Sequence, residues 1–156
     1  MIPTDPDGNE IPTALTLEPG ESAHPIRVRY AESDQMGFSY YANYIIWFEV
    51  GRTEWMRARG CSYRVLESEG YLLPVTETYC RYHAPSHYDD LLYVVTRVTG
   101  LTRVKIRFEY RVLRDDGTLL ATGHTEHCFL SREGRPLRAP EIIRQVVDNA
   151  NRPPGS

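Results

Sequence analysis

The sequence predicts an α+β fold, with one long helix laid against a curved antiparallel sheet of about five strands. Three observations carry that expectation. The segment ANYIIWFEVGRTEWMRARG sets Tyr44, Trp47, Phe48, Gly51, Trp55 and Ala58 at helical spacing, and Ile45 and Ile46 widen the apolar face. From Tyr71 onward the apolar period changes to two. The Asp-Gly pair in RDDGT then supplies a hairpin turn between two such runs.

The elements follow in chain order. PIRVRY, 25–30, reads as a short alternating strand. The long helix has Glu49, Arg52, Glu54, Arg57 and Arg59 on its polar side and Gly60 as its stop. Gly51 costs that helix about 1 kcal/mol relative to Ala, so another backbone is expected to pack close there. SYRVLESEG reads as a second, short helix ending at Gly70. YLLPVTETYCRYHA is a strand in which Pro74 marks an edge or a bulge, and DLLYVVTRV is the next. In RVKIRFEYRVL, Val104, Ile106, Phe108, Tyr110 and Val112 take one face and Arg103, Lys105, Arg107, Glu109 and Arg111 the other. LLATGHTEHCFL returns as a strand, and APEIIRQVVDNA closes the chain as a helix.

With 156 residues the chain is expected to be one domain, 25–150. A Pro- and Gly-rich arm, 1–24, and the tail NRPPGS, 151–156, are expected to be flexible or disordered. Net charge is −3, which implies no general affinity for nucleic acid. No apolar run approaches the roughly 20 residues needed to span a membrane. The polar start MIPTDPDGNEIPT does not read as a signal peptide. Cys61, Cys80 and Cys128 form no CxxC pair, which fits a reducing, cytoplasmic setting. His124 and His127 lie three apart on a strand and face opposite ways, His83 and His87 flank Pro85, and His24 sits in the arm, so no metal site is expected. There is no Gly-rich phosphate loop and no GxSxG elbow.

Asp34, in YAESDQMGFSYYANY, lies between the first strand and the long helix. Residue pattern alone favours a turn Asp, with DQMG supplying the turn chemistry. The other reading starts from the helix end beside it, which presents unpaired N–H groups and a positive dipole. Such an end can hold a carbonyl oxygen as it gains charge, while a neighbouring carboxylate activates water or attacks the carbonyl.

The motif Asp34-x-x-Gly37-x-x-Tyr40-Tyr41-Ala42-Asn43-Tyr44, with FEVGRTEW after it, resembles the hotdog-fold thioesterases of the 4-hydroxybenzoyl-CoA thioesterase-like branch. HYDDLLYVVTRV, 87–98, is similar to that family's Tyr-Asp-Asp strand opening, and EGRPLRAP, 133–140, is a third match. The resemblance runs from about Ile26 to Val147. It implies a helix wrapped by an antiparallel sheet, homodimers or homotetramers with sites at the dimer interface, and hydrolysis of an acyl-CoA thioester without metal or bound cofactor. By the same resemblance Asp34 is the catalytic carboxylate, the Tyr41 backbone N–H polarises the thioester carbonyl, and Gly37 lets the loop turn close to substrate. Many relatives carry His at the position of Tyr41; a backbone donor survives that change.

Tyr40 and Tyr44 are expected to line the acyl pocket. Resemblance points to Arg103 and Lys105 as contacts for the CoA phosphates, with Arg135 and Arg138 as a second group; a solvated strand face and a charged loop are the plain alternative. Glu49 reads as an i,i+3 partner of Arg52 rather than a base. His24, Cys80 and Cys128 read as structural or incidental. Two further functions share the fold: hydrolysis of an acyl group on a carrier protein, and acyl binding without turnover.

Overall fold

The computed structural model describes residues 3–152. Its elements are β1 (Ser22–Arg27), a 3-10 turn (Tyr30–Glu32), α1 (Asn43–Ala58), α2 (Tyr63–Ser68), β2 (Val75–Tyr82), β3 (Leu91–Leu101), β4 (Lys105–Arg114), β5 (Leu119–Cys128) and α3 (Glu141–Ala150). The strands form one sheet in the order β1-β3-β4-β5-β2, and every neighbouring pair is antiparallel. The expected long helix on a curved five-stranded sheet is therefore present. β2 is an edge strand with a register shift between Val75 and Glu77, which answers to the Pro74 signal.

The core lies between α1 and the inner face of the sheet. Phe48 stacks flat on Tyr110 with ring centroids 4.3 Å apart, and Trp55 meets Phe108 edge-on. Two glycines allow this approach. A Cβ at Gly123 would lie 2.6 Å from the Phe48 ring. A Cβ at Gly51 would lie 2.6 Å from both Val94 Cγ1 and Thr96 Oγ1. The close neighbours of Gly51 are thus side chains of β3 rather than a second backbone. α2 begins at a capping serine, Ser62, whose hydroxyl accepts the Val65 N–H.

Several boundaries and pairings differ from the sequence expectations. The first strand runs from Ser22, so His24 belongs to the sheet, and Tyr30 starts the 3-10 turn instead of ending the strand. Val104 precedes β4 and is exposed, because β4 begins at Lys105 after a tight turn in which Thr102 accepts the Val104 and Lys105 N–H groups. Arg52 is buried and donates to the Tyr63 hydroxyl on α2, leaving no ion pair with Glu49.

The expected flexible arm is packed. Ile11 and Leu15 are buried with Tyr93, Val95 and Leu113 on the outer face of the sheet. Arg111 pairs with the buried Glu21 at 3.0 Å, Arg59 with Asp7 at 3.3 Å, and the Trp55 indole donates to the Gly20 carbonyl. The apolar outer ends of β3 and β4 need a cover, and scattered Ile and Leu residues within a Pro-rich segment supply it. Of the expected tail, residues 151–152 are a turn and 153–156 lie outside the described residues.

Candidate active site

The segment between β1 and α1 is a miniature hairpin. Ser33 bridges Ser39, the Asp34 N–H donates to the Phe38 carbonyl at 2.8 Å, and the Gly37 N–H donates to the Asp34 carbonyl. Gly37 has φ +82°, a left-handed conformation that favours glycine. Asp34 Oδ1 accepts the Met36 N–H at 2.8 Å, so the side chain does supply turn chemistry. Its other carboxylate oxygen has no hydrogen-bond partner among the described residues, and the residue is half-buried.

From there the chain enters α1 without a capping side chain. The N-cap is Ala42, where Ser, Thr, Asp or Asn would ordinarily accept an N–H. The first turn is wound by i+3 bonds, with the Asn43, Tyr44 and Ile45 N–H groups donating to the carbonyls of Tyr40, Tyr41 and Ala42. Among the described residues the N–H groups of Tyr41 and Ala42 have no acceptor. Two orphan donors therefore stand at the positive end of a 16-residue helix, seven residues beyond Asp34 in the chain.

Three side chains hold this arrangement that the sequence pattern did not single out. Glu32 is buried. It accepts the Arg29 N–H and the Trp47 indole N–H, at 2.8 and 2.9 Å, while its carbonyl accepts the Tyr40 N–H and the Asn43 side-chain amide. Ser86, also buried, accepts from the Tyr44 hydroxyl at 2.9 Å and donates to Ser39 at 2.7 Å. The Tyr82 hydroxyl donates to the Tyr41 carbonyl at 2.8 Å. A Glu two residues before the motif was the only available hint of the first, and nothing in sequence distinguishes Ser86 or Tyr82. The Tyr-Asp-Asp match proves to be a turn. Asp89 has φ +68°, and Asp90 accepts the His87 N–H and pairs with Arg114.

A groove of about 300 Å³ opens here, lined by Phe38, Tyr41, Tyr44, Tyr82 and the His83–Pro85 turn. Tyr44 lies in its wall as expected, with its phenol pushed up by burial. Tyr40 is not in the lining; its ring leans on Tyr41, and its phenol is pushed up by the hydrogen bond and charge of Tyr41 and, less, by Asp34. A larger groove of about 560 Å³ lies on the outer sheet face, but its Arg97, Glu109, Arg111 and Glu21 pair with one another.

The basic residues lie elsewhere. Lys105 pairs with Cys128 and Tyr82 with Ala121, seven residues apart on β5, or roughly 23 Å along the strand. The Ala139 N–H donates to the Arg103 carbonyl, so the loop with Arg135 and Arg138 is tied to that same far end. Arg103, Lys105, Arg135 and Arg138 are all exposed, and none has a carboxylate within ion-pair distance among the described residues. One chain thus joins the two expected basic groups to each other and separates both from Asp34.

A long helix wrapped by a five-stranded antiparallel sheet is the hotdog architecture, which the chain shares with solved thioesterases. The chain belongs to the thioesterase-like superfamily, whose family model matches residues 28–149. It is similar to the acyl-CoA thioesterase YbgC of Haemophilus influenzae, with 36% identity over 121 residues, covering 77% of this chain and 89% of that one. Among solved structures it is similar to a DHNA-CoA thioesterase from Staphylococcus aureus, with TM-score 0.78 and 30% identity, covering 83% of this chain and 89% of that one. A protein of Thermus thermophilus gives TM-score 0.79 at 34% identity, covering 85% and 99%. The family expected from the three sequence motifs is the family found.

Proposed function

We propose that the protein hydrolyses acyl-CoA thioesters to free acid and CoA, with Asp34 as the catalytic carboxylate and the Tyr41 N–H as the oxyanion donor. The observation that carries the proposal is the uncapped start of α1. Among the described residues its Tyr41 and Ala42 N–H groups lack acceptors, and seven residues before Tyr41 the Asp34 carboxylate keeps one oxygen without a partner. A helix start left uncapped costs stability unless a ligand or water takes the donors. A thioester carbonyl oxygen placed there gains charge as the carbonyl carbon is attacked, and fixed donors stabilise that charge.

Asp34 takes a proton from water, and the hydroxide adds to the carbonyl carbon. The oxyanion collapses, the C–S bond breaks, and the CoA thiolate leaves with the proton that Asp34 held. Direct attack by Asp34 would instead pass through an anhydride. A single turnover in H₂¹⁸O tests the anhydride route: label in Asp34 requires the anhydride, with water adding to the Asp34 carbonyl carbon, whereas direct attack by water on the thioester puts label only in the product acid.

Two copies complete the site in this proposal. Among the described residues β2 pairs only with β5, so its other edge offers unpaired backbone groups. A two-fold axis through that edge pairs β2 with its copy antiparallel. The Tyr82 end of one chain then meets the Val75 end of the other, where the partner's Arg135 and the partner's Lys105 lie. The basic residues without acid partners thereby reach the CoA phosphates beside Asp34. The decisive test is free-thiol release from a panel of acyl-CoAs and the matching acyl-carrier proteins, with Asp34→Ala alongside. Turnover of CoA thioesters that falls about 10²- to 10⁴-fold in the variant is expected. Equal activity in the variant removes Asp34 from the mechanism, and ligand retention without turnover replaces the enzyme by a binding protein.

A further inference from the structure

We propose that Tyr82, on the edge strand β2, is a positioning residue that holds the oxyanion turn through its hydroxyl. The inference rests on the thioesterase reaction proposed above and assigns a role to a side chain outside the Asp34 motif. The Tyr82 hydroxyl donates to the Tyr41 carbonyl at 2.8 Å, reaching across 41 residues of sequence. That carbonyl belongs to the peptide whose N–H is that of Ala42, and the same residue, Tyr41, carries the other donor without an acceptor. A donor on the carbonyl fixes the plane of this peptide and polarises its N–H.

α1 has no capping side chain to do this from its own segment. The Tyr82 ring adds a second hold. It meets Tyr44 edge-on at 5.1 Å and Tyr41 edge-on at 6.5 Å, and it lines the groove with both. Tyr44 is itself anchored by Ser86, so Tyr82 presses the turn against a fixed ring. Burial, and then the neighbouring Cys80 thiol, push the Tyr82 phenol well above its usual range, so it remains a donor wherever the enzyme works. The position on β2 matters as much as the bond. The residue that holds the oxyanion turn sits on the strand whose free edge is available to a second copy, so pairing there would also stiffen the turn.

The test is Tyr82→Phe, which keeps the ring and removes only the donor, with Tyr79→Phe on the opposite face of the same strand as control. Two readouts are taken: thioester kinetics, and amide hydrogen exchange of peptides spanning 38–44. The expected result for Tyr82→Phe is a loss of about three- to tenfold in kcat with KM within about twofold, the scale of one hydrogen bond felt in the transition state. Exchange at 38–44 accelerates while β3–β5 peptides keep wild-type rates, and Tyr79→Phe changes neither. Wild-type exchange at 38–44 in Tyr82→Phe overturns the inference whatever the activity. So does an unchanged kcat in an enzyme that turns over thioester. If the wild-type protein releases no thiol from any acyl-CoA, the proposed reaction fails, while the exchange data still decide whether Tyr82 holds the turn.

Discussion

His127 is fully buried on the inner face of β5, and its hydrogen bonds fix its tautomer. Nδ1–H donates to the Leu73 carbonyl at 3.1 Å, so Nε2 accepts from the Thr125 hydroxyl, which in turn accepts from Tyr110. Burial, and less strongly the nearby Arg52 charge, push the imidazole down to about 4. In the unfolded chain it returns to about 6.5. Between those values the unfolded state binds a proton that the native state does not, so stability rises with pH across the window. It is complete above about 6.5 and lost as pH falls toward 4, by about 2 kcal/mol between pH 7 and pH 5. Urea midpoints at the two pH values should show this loss, and His127→Gln, though less stable at pH 7, should show a smaller pH-dependent drop. The opposite orientations of His124 and His127 were legible from their spacing, but a hydrogen-bond relay across two strands was not. Asp34 was harder: its turn role and its proposed catalytic role use different oxygens of one carboxylate, and spacing alone cannot separate them. Tyr82 and Glu32 were illegible because each acts through a backbone or indole partner more than 10 residues away.

At the scale of elements, α1 is held to the sheet by its contact at Gly51. Helix propensity alone favours Gly51→Ala by about 1 kcal/mol. The added Cβ would sit 2.6 Å from Val94 Cγ1 and Thr96 Oγ1, two β-branched side chains in the core with little rotamer freedom. Overpacking costs about 1–3 kcal/mol, so the net effect of Gly51→Ala is a loss of up to about 2 kcal/mol, and Gly51→Leu loses more. A lower urea midpoint at unchanged slope is the expected reading. The glycine was legible as a close approach because it interrupts an otherwise strong helix; what approaches it needed the fold. The strands were legible from their period of two, and β4 most clearly, with Ile106, Phe108, Tyr110 and Val112 all buried. The packing of the arm was not legible because six of its 24 residues are Pro or Gly, while Ile11 and Leu15 follow no period. Their partners, Tyr93, Val95 and Leu113, come together only once β3 and β4 pair. The continuous apolar run of DLLYVVTRV, buried on both faces in β3, was the available sign that the outer face has a cover.

For the molecule as a whole, the decisive feature is the separation of Asp34 from the basic residues within one chain. If each site were built from a single chain, Arg103, Lys105, Arg135 and Arg138 would be solvated surface, and reversing their charge would leave turnover untouched. If the two-fold pairing through β2 holds, Lys105→Glu with Arg135→Glu raises KM for CoA thioesters and spares kcat, and the effect shrinks as salt screens the phosphates. Mixing separates the cases further. Asp34→Ala chains keep the basic end, and the doubly reversed chains keep Asp34. A mixed dimer of the two has one site with both parts intact and one with neither. Random reassociation makes about half of the dimers mixed, so about a quarter of the sites regain wild-type KM. Sites confined to one chain would have nothing to regain, because the doubly reversed chains would already turn over with wild-type KM. Recovery of low-KM activity on unfolding and refolding the two variants together, measured against each refolded alone, is therefore the expected outcome. Its absence, with mixed dimers demonstrated by mass spectrometry, would return the basic residues to the solvated strand face and loop that the sequence equally allowed.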